Sequence, residues 1–521
     1  MVVTQRVMVV TERVFQSRPM ALGSRGAAST PHLLASQAAI DALRAGGNAV
    51  DAAVAAASVA TVVQPFSSSV GGVGWAAVYD AGARTTEVLH FVGAVPRALD
   101  PSAFRPDPTG LVDWRHLEQV GSPLLGCLTP GVAAGWEELL ARKGSWPLAR
   151  VLEPAIALAK EGFPVSELLA TNMALSAARL RRWPESARIF LRGGEPFKVG
   201  ERLVQSDLGT TLQRIARNGS AEMVTGDSGR AIVELHRSGG GALGGGDLDE
   251  NRPTWHPALT AGYRDLVVHA APAPLGDVSF LSGIQLLDAF PPFSGPLDPD
   301  YVHTSIESAK LVASDRARFL GDGVDAAIVE RLLGARHLDE LRSRISPQAR
   351  AGRTSGRVAE DTITLATVDE RGNAVHLMQT VGTLFGTGAV AAGTGVLLNS
   401  SLYFAFARGA EANRIVPGGH LEQNPCIAVV LDAAGRLRLV AGSPGGRTRV
   451  ETVRQLLANV VDFGMNVQQA VDAGRFLNSP DGTSVDFEAR YGRRVHLTSE
   501  FLEPVLTALL GRVHRQVGVT E

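Results

Sequence analysis

Threonine hydroxyls are the side chains of this 521-residue sequence that most directly suggest covalent chemistry. Thr362, Thr364 and Thr367 stand close together in the segment 361–368. A threonine hydroxyl is a weak nucleophile at neutral pH and needs a base beside it. A threonine at the amino end of a chain has such a base in its own α-amine, which titrates near about 8. That amine exists only after the backbone is cut, so chain cleavage would switch the chemistry on.

The same segment has the pattern of a β-hairpin. Residues 362–368 alternate polar and apolar, as a half-buried strand does. Asp-Glu-Arg-Gly-Asn at 369–373 favours a turn, because glycine and asparagine adopt positive φ readily. Residues 374–380 would then form the returning strand. From residue content alone, an ordinary structural hairpin is the favoured interpretation.

The order of residues from 361 resembles the start of the small subunit of γ-glutamyltransferases, which are N-terminal-nucleophile hydrolases. The shared pattern is Asp-Thr-x-Thr-x-x-x-Val-Asp-x-x-Gly-Asn-Ala-Val. In that family the precursor cuts itself before a threonine, which then becomes the catalytic residue. The resemblance implies cleavage between Asp361 and Thr362, with Thr362 as nucleophile and α-amine base. The second threonine that supports the nucleophile falls on Thr380.

The resemblance continues on both sides of this segment, over about residues 27–480. It covers Gly46-Gly47-Asn48-Ala49-Val50-Asp51 and Leu128-Thr129-Pro130-Gly131 in the first part, and Gly-Ser-Pro-Gly-Gly at 442–446 in the second. Gly445 and Gly446 fall where the family has its oxyanion hole, and two N–H donors there would stabilise a tetrahedral intermediate. The alternative for these glycines is a tight turn after a strand. Asn399 falls on a pocket asparagine of the family.

The residues that hold the glutamyl group in the family are largely replaced here. Val92 follows Leu89-His90-Phe91 where the family has a carboxylate-binding arginine, and Gly382 replaces an asparagine. The α-amine and carboxylate partners of the family fall on Ser401, Phe404, Gln423 and Asn424. A zwitterion in a closed pocket needs a partner for each charge, and leaving one without costs several kcal/mol. We therefore expect poor use of γ-glutamyl substrates despite an intact catalytic core.

Two arginines, Arg447 and Arg449, stand beside the glycines of the expected oxyanion hole, where the family pattern has small or apolar residues. They could bind an anionic group that the substrate presents from another direction. They could equally lie on the surface, and the sequence leaves both interpretations open. Neither His376 nor His420 is needed by a mechanism whose base is an α-amine, so both are expected to be structural.

Composition excludes several other classes of protein. A net charge of −2 gives no indication of nucleic-acid binding. Cys127 and Cys426 are the two cysteines, and their spacing fits neither a disulfide framework nor a zinc site, so we expect no metal and no cofactor. The longest apolar stretch, 52–63, is too short to span a bilayer. Without a recognisable secretory signal at residues 1–14, the expected location is cytoplasmic and away from membranes.

The predicted architecture is α+β, a four-layer αββα sandwich of the N-terminal-nucleophile hydrolase type, as the resemblance implies. The expected parts are a flexible leader at 1–28, a large subunit at 29–361 and a small subunit at 362–521. The two fragments would stay together as a heterodimer because their strands interleave. The polar segment 343–361 is either a plain surface linker or the mobile segment that presents the bond to be cut.

Three functions are compatible with these features. The first is an autoprocessed hydrolase or acyltransferase that uses Thr362 on a small-molecule amide or related acyl substrate other than a γ-glutamyl compound. The second is a relative in specialised metabolism that hydrolyses a C–C bond with release of an oxalyl unit, as some members of the family do in alkylproline-type pathways. The third is an uncut, non-catalytic binding protein, against which the presence of Thr362, Thr380, Gly445 and Gly446 argues.

Overall fold

The computed structural model describes residues 18–273, 276–348, 360–407, 409, 411–423 and 425–478, together with the backbone of 484–488 and 516–520. The side chains at 360, 361 and 447 and the whole of Asn424 lie outside the described residues. So does most of the predicted linker, from 349 to 359.

Helices and strands alternate irregularly along the chain, as expected of an α+β protein. The helices are α1 (Leu33–Arg44), α2 (Ala49–Val63), α3 (Trp114–Gln119), α4 (Val132–Lys143), α5 (Leu148–Glu161), α6 (Glu167–Arg181), α7 (Pro184–Phe190), α8 (Ser206–Asn218), α9 (Asp227–Ser238), α10 (Gly245–Glu250), α11 (Val278–Asp288), α12 (Pro299–Phe319), α13 (Ala326–Leu333), α14 (Ala335–Ser343), α15 (Arg449–Val461) and α16 (Val467–Asp472). The strands are β1 (Gly26–Ser29), β2 (Val73–Asp80), β3 (Thr85–His90), β4 (Phe163–Pro164), β5 (Leu191–Arg192), β6 (Glu195–Pro196), β7 (Arg202–Leu203), β8 (Thr254–Pro257), β9 (Leu259–Tyr263), β10 (Leu266–Ala270), β11 (Glu360–Asp369), β12 (Ala374–Thr383), β13 (Val390–Ala391), β14 (Val396–Leu397), β15 (Ala428–Leu431), β16 (Leu437–Ala441), β17 (Arg475–Asn478), β18 (Ser484–Glu488) and β19 (Gln516–Thr520).

Two antiparallel sheets form the centre of the fold. The first has the strand order β1-β11-β12-β2-β3-β8, and the second has the order β16-β15-β10-β9. Each sheet combines strands that precede and follow residue 361 in the chain. The pairing of β12 with β2, for example, runs from Ala374 opposite Tyr79 to Thr380 opposite Val73. Fragments produced by a cut at residue 361 would therefore remain joined through both sheets.

Side-chain alternation along the strands assigns each sheet face to a layer. On β12, Val375 and Leu377 pack with α1, α2 and α5, while Ala374 and Met378 face the second sheet. On β15, Ala428 and Val430 pack with α11, α12 and α15, and Val429 returns to the layer between the sheets. Helices, sheet, sheet and helices follow one another in that order, which confirms the predicted αββα sandwich.

The α2 helix lies against the first sheet and is buried along its whole length. Asn48 caps it by accepting from the N–H groups of Val50 and Asp51. At its amino end, the Thr367 hydroxyl donates to Ala49 O at 2.7 Å, which ties β11 to the helix. Although α2 is strongly apolar, the described part of the chain contains no helix with both the length and the hydrophobicity to cross a membrane.

The predicted boundary of the leader at residue 28 needs a correction. Residues 26–28 belong to β1, which pairs antiparallel with β11 from Gly26 opposite Asp369 to Ser29 opposite Ala366. The four residues of β1, Gly-Ala-Ala-Ser, include no β-branched or aromatic side chain, so the strand propensity that would have revealed them is missing. Their place in the sheet comes from pairing with the edge of β11.

Candidate active site

The hairpin formed by β11 and β12 is irregular at Thr362. Asp361 lies opposite Gly382, whereas Ile363 lies opposite Gln379, so Thr362 alone faces Thr380 and Val381. This is a β-bulge, a device that re-aims a side chain and is common beside active sites. The predicted turn is present, with Gly372 at φ +84° and the Asp369 side chain accepting from the N–H groups of Arg371 and Asn373.

Thr362 and Thr380 meet at this bulge. The Thr362 hydroxyl donates to Thr380 Oγ1 at 3.2 Å, and the Gly382 N–H donates to the same oxygen at 2.9 Å. Both threonines are buried, with 4% and 3% of their surface exposed. The two residues predicted as nucleophile and support are thus in direct contact, in a layer shielded from bulk water.

Arg449 contacts the same hydroxyl from the other side. Its Nη2 donates to Thr362 Oγ1 at 2.6 Å, and its Nη1 lies 3.4 Å from the carbonyl oxygen of Gln423. The guanidinium also lies 5.8 Å from the centroid of the Trp75 ring, close enough for a cation–π interaction. Only 4% of Arg449 is exposed, so it does not lie on the surface, and its positive charge is held beside the predicted nucleophile.

Gly445 and Gly446 lie just before the first residue of α15. Their φ angles of +113° and +54° lie in the left-handed region that glycine tolerates best. A short 3₁₀ turn, Gly446–Thr448, follows, and the Thr448 hydroxyl donates to Gly445 O at 2.8 Å. Among the described residues, neither glycine N–H meets a protein acceptor, as an oxyanion hole requires. The predicted tight turn is present as well, so the two interpretations of these glycines are compatible.

A small cavity opens beside the threonine pair. Its lining residues combine aromatic and charged side chains: Trp75, Arg316, Thr380, Phe404, Glu422, Gln423, Gly446 and Arg449. Arg316 donates from Nε and Nη2 to one oxygen of Glu422, at 2.9 and 2.6 Å. Glu422 is 1% exposed, so this ion pair is internal to the wall of the cavity.

Only some of the remaining residues predicted to bind substrate lie at the cavity. Phe404 and Gln423 line the cavity. Ser401 and Val92 are buried elsewhere, Val92 in the apolar layer between the two sheets. The Asn399 amide bonds the backbone at Leu128 N, Leu128 O, Gly71 O and Ser401 N. The Asn399 amide therefore makes all its hydrogen bonds within the fold, and we do not propose it as a substrate ligand. Arg447 and Asn424 contribute no described side chain.

Three residues of the cavity wall were not anticipated from the sequence: Trp75, Arg316 and Glu422. Trp75 ends the Ser- and Gly-rich run 67–75, whose composition indicates close backbone packing in the core. Arg316 lies in an amphipathic helix, where a charged residue is expected on the solvent face. Glu422 belongs to a stretch without regular structure. Only the meeting of β2, α12 and this stretch in space reveals them as neighbours.

His376 lies on β12, opposite Ala366 of β11. Its Nε2 is 2.8 Å from the Thr364 hydroxyl. Burial lowers the pKa of His376 to about 4, and the nearby charge of Arg449 acts in the same direction. The imidazole is therefore neutral at physiological pH, in keeping with the structural role expected for it.

Comparison with known proteins places this site in a family. The family model described as Gamma-glutamyltranspeptidase matches residues 35–516. The Acylase ACY 1 proenzyme of Pseudomonas sp. (strain V22) is 32% identical over 510 residues, covering 95% of this chain and 88% of that protein. The Glutathione hydrolase proenzyme of Escherichia coli (strain K12) is 30% identical over 475 residues, covering 87% of this chain and 80% of that protein.

The fold agrees with that assignment. The crystal structure of cephalosporin acylase from Bacillus halodurans superposes with a TM-score of 0.84 at 26% identity, covering 98% of this chain and 93% of that one. The residues matched by the family model include the threonine pair and every strand of the two central sheets except β1. The chain belongs to the gamma-glutamyltranspeptidase family and is an enzyme with the fold of an N-terminal-nucleophile hydrolase.

Proposed function

We propose that this chain is an autoprocessing hydrolase or acyltransferase that cuts itself between Asp361 and Thr362 and then uses Thr362 on an amide substrate other than a γ-glutamyl compound. The observation that carries the proposal is the Thr362 hydroxyl at the bulge, which donates to Thr380 Oγ1 and accepts from Arg449. The relatives with 32% and 30% identity are both named proenzymes, and one is an acylase.

The position of Thr362 supports the proposed self-cleavage. The Thr362 oxygen would attack the carbonyl carbon of Asp361, which forms an ester and breaks the peptide C–N bond, and the hydroxyl proton passes to the departing nitrogen, which becomes the new α-amine. Water then hydrolyses the ester, which leaves the Asp361 carboxylate and restores the threonine hydroxyl. Burial beside Arg449 and Thr380 would hold the hydroxyl in one orientation and so reduce the entropic cost of reaching the attacking geometry.

Turnover would repeat the same chemistry on a substrate. The Thr362 oxygen attacks the scissile carbonyl while its proton passes to the α-amine, and the N–H groups of Gly445 and Gly446 stabilise the oxyanion. Collapse breaks the C–N bond, and the departing amine takes the proton from the α-ammonium group. Water attacks the acyl ester in a second half-reaction and releases the acid. An amine in place of water would give acyl transfer.

A γ-glutamyl group fits this cavity poorly. Val92 is packed among apolar side chains where the family has its carboxylate-binding arginine. Gly382 has no side chain to offer where the family has an asparagine, and its φ of +91° disfavours any other residue. The cavity instead offers Arg449 and Gln423 as donors.

Self-cleavage is tested by intact mass and a denaturing gel of the purified protein. We expect fragments of 361 and 160 residues from the wild type, no cleavage in Thr362→Ala, and slower cleavage in Thr362→Ser. Thr364→Ala is the matched control, because the Thr364 hydroxyl contacts His376 and lies on the same strand; it should still cut. An uncut wild type would instead support a non-catalytic binding protein.

Substrate class is tested separately with anilides. We expect the cut protein to hydrolyse a neutral or anionic acyl anilide faster than γ-glutamyl-4-nitroanilide. Brisk turnover of the γ-glutamyl compound would contradict the argument from the cavity. Activity on a ketone with release of a carboxylic acid, and none on any anilide, would favour the C–C hydrolase instead.

A further inference from the structure

We propose that the substrate's acyl group ends in a carboxylate one or two bonds from the scissile carbonyl, and that Arg449 binds this carboxylate. The substrate would then be a half-amide of a short dicarboxylic acid. The inference rests on the proposed function of Thr362 and adds the identity of the acyl group.

The distance between Arg449 and Thr362 limits the length of the acyl group. Arg449 Nη2 is 2.6 Å from Thr362 Oγ1, and an arginine–carboxylate hydrogen bond spans about 2.8 Å. A carboxylate oxygen bound to that nitrogen therefore lies at most about 5.4 Å from the nucleophile. The attacking oxygen approaches at about 3 Å and steeply to the plane of the carbonyl. An oxalyl or malonyl carboxylate then falls within the limit.

A longer acyl group exceeds the same limit. With three carbons between the two carbonyl groups, as in a glutaryl or γ-glutamyl chain, an extended conformation puts the carboxylate about 7 Å from the attacking oxygen. Folding the chain back would shorten that distance but would cost conformational freedom. Arg449 is held between Trp75 and the Gln423 carbonyl and is 4% exposed, so it has little room to retreat toward a longer substrate.

The charge of the cavity wall also favours an anion. Among its described side chains, Arg316 and Arg449 are cationic and Glu422 is anionic, and Glu422 is already paired with Arg316. Arg449 is the first residue of α15, a helix of 13 residues, so the partial positive charge of the helix N-terminus lies at the backbone of the same residue. The described charged side chains of the wall are therefore two cations and one anion.

Gln423 provides a second, independent indication of a ligand. It is 8% exposed, lines the cavity, and its Nε2 has no acceptor among the described residues. A buried amide N–H₂ without an acceptor costs about 1–3 kcal/mol, which a bound ligand can recover. A carboxylate held by Arg449 would bring an acceptor to the cavity that both side chains line.

The first test uses the wild-type enzyme and needs no variant. Its substrates are the 4-nitroanilides of oxalic, malonic, succinic and glutaric half-acids, with γ-glutamyl-4-nitroanilide and the methyl ester of the malonyl compound as comparisons. We expect the highest kcat/KM with the oxalyl or malonyl compound and a drop of at least tenfold from the better of these two to the succinyl and glutaryl compounds. Equal turnover of the neutral ester, or an optimum at the succinyl or glutaryl compound, would overturn the proposal.

The second test assigns the effect to Arg449. Arg449→Gln should lower kcat/KM for the malonyl anilide about 100-fold more than for its methyl ester, because only the anion loses its partner. An equal loss for both would show that Arg449 acts on the nucleophile alone. Arg438→Gln, the same change at an exposed position of β16, is the control and should leave the ratio unchanged.

A binding measurement with free dicarboxylates tests the proposal even if the enzyme does not cleave anilides. Isothermal titration should show malonate binding to wild type at least tenfold more tightly than glutarate, and no malonate binding to Arg449→Gln. Lack of malonate binding by the wild type would overturn the proposal. Failure of self-cleavage would count against the proposed function instead, so the two failures are distinguishable.

Discussion

Thr362 Oγ1 lies 3.2 Å from Thr380 Oγ1, and the same Thr380 oxygen accepts from the Gly382 N–H at 2.9 Å. Thr380→Val keeps the shape of the side chain but removes the acceptor for both donors. The Gly382 N–H would be left buried without that partner, at about 1–3 kcal/mol, and the nucleophile would lose its orientation. We expect self-cleavage to slow at least tenfold, measured as the fraction of cut chain over time, and Thr380→Ser to cut nearly normally.

Thr383→Val is the control for this experiment. Thr383 is buried on the same strand, and its hydroxyl contacts Ser400 and the carbonyl of Gly386 and not Thr362. Its replacement should lower thermal stability and leave the rate of cleavage close to that of the wild type. If Thr380→Val also cuts at the wild-type rate, the contact between the two threonines has no part in processing.

Arg449 should set the pH dependence of the processed enzyme. The proposed base is the α-amine of Thr362, which must be neutral to accept a proton. The Arg449 guanidinium, which contacts Thr362, disfavours the protonated amine and so lowers the pKa of that amine. His376 is neutral at physiological pH and does not oppose this effect. Glu422 acts in the opposite direction but is paired with Arg316. Removing the Arg449 charge should therefore raise the pKa of the amine.

The measurement is the pH profile of kcat/KM on a neutral acyl anilide. Activity rises with pH as the amine loses its proton, so Arg449→Gln should move the acid limb to higher pH by about one unit. Arg449→Lys keeps the charge and should keep the limb near its wild-type position. An unchanged limb in Arg449→Gln would mean that the titrating base is not beside this arginine.

The hairpin and α2 could be predicted because each has a local cause, whereas the prediction of the layered architecture rests on the resemblance to the family. Alternation along 362–368, turn residues at 369–373 and an asparagine cap before an apolar run all act within a few residues. The contact between Thr362 and Thr380 depends on a bulge that inserts one residue of β12, and no local pattern signals it.

The chemistry of the cavity wall depends on contacts between distant segments. Arg449 at the start of α15, Arg316 on α12 and Glu422 in a loop come together only when the second sheet packs on the first. From the sequence, Arg449 is compatible with a surface position, and tertiary packing decides against it. Asn399 shows the reverse, because a residue that resembles a pocket asparagine is used to hold Gly71 and Leu128 in place.

Gly446→Ala tests the expected oxyanion hole. Alanine at φ +54° costs about 1 kcal/mol or more, and the resulting backbone strain falls on a residue that lines the cavity. We expect kcat to fall about 10²-fold or more, as when one oxyanion donor is lost. Gly464→Ala is the matched control, because Gly464 has φ +66° and its added Cβ would meet no atom within 4 Å. It should lose stability only, as thermal unfolding and kcat together would reveal.

Asn399→Ala should act on stability and not on substrate selection. Four backbone groups of residues 71, 128 and 401 would lose a buried partner, and each such loss costs about 1 kcal/mol or more. We expect a clear drop in the melting temperature and the same relative loss of kcat/KM for every anilide of the series. A loss confined to one acyl group would restore Asn399 as a substrate ligand.

Gly382→Asn puts back the asparagine that the family has at this position. A Cβ at Gly382 would lie 2.8 Å from Ser400 Oγ and 3.0 Å from the backbone nitrogen of Ser401, at a φ of +91° that suits only glycine well. Because β12 and the Ser400 loop have adjusted to a missing side chain, we expect lower stability and no gain in γ-glutamyl-4-nitroanilide turnover. Since Val92 also lacks a charge, one restored amide cannot hold a zwitterion. A rise of tenfold or more in γ-glutamyl turnover would contradict this account and show that Gly382 alone excludes the glutamyl group.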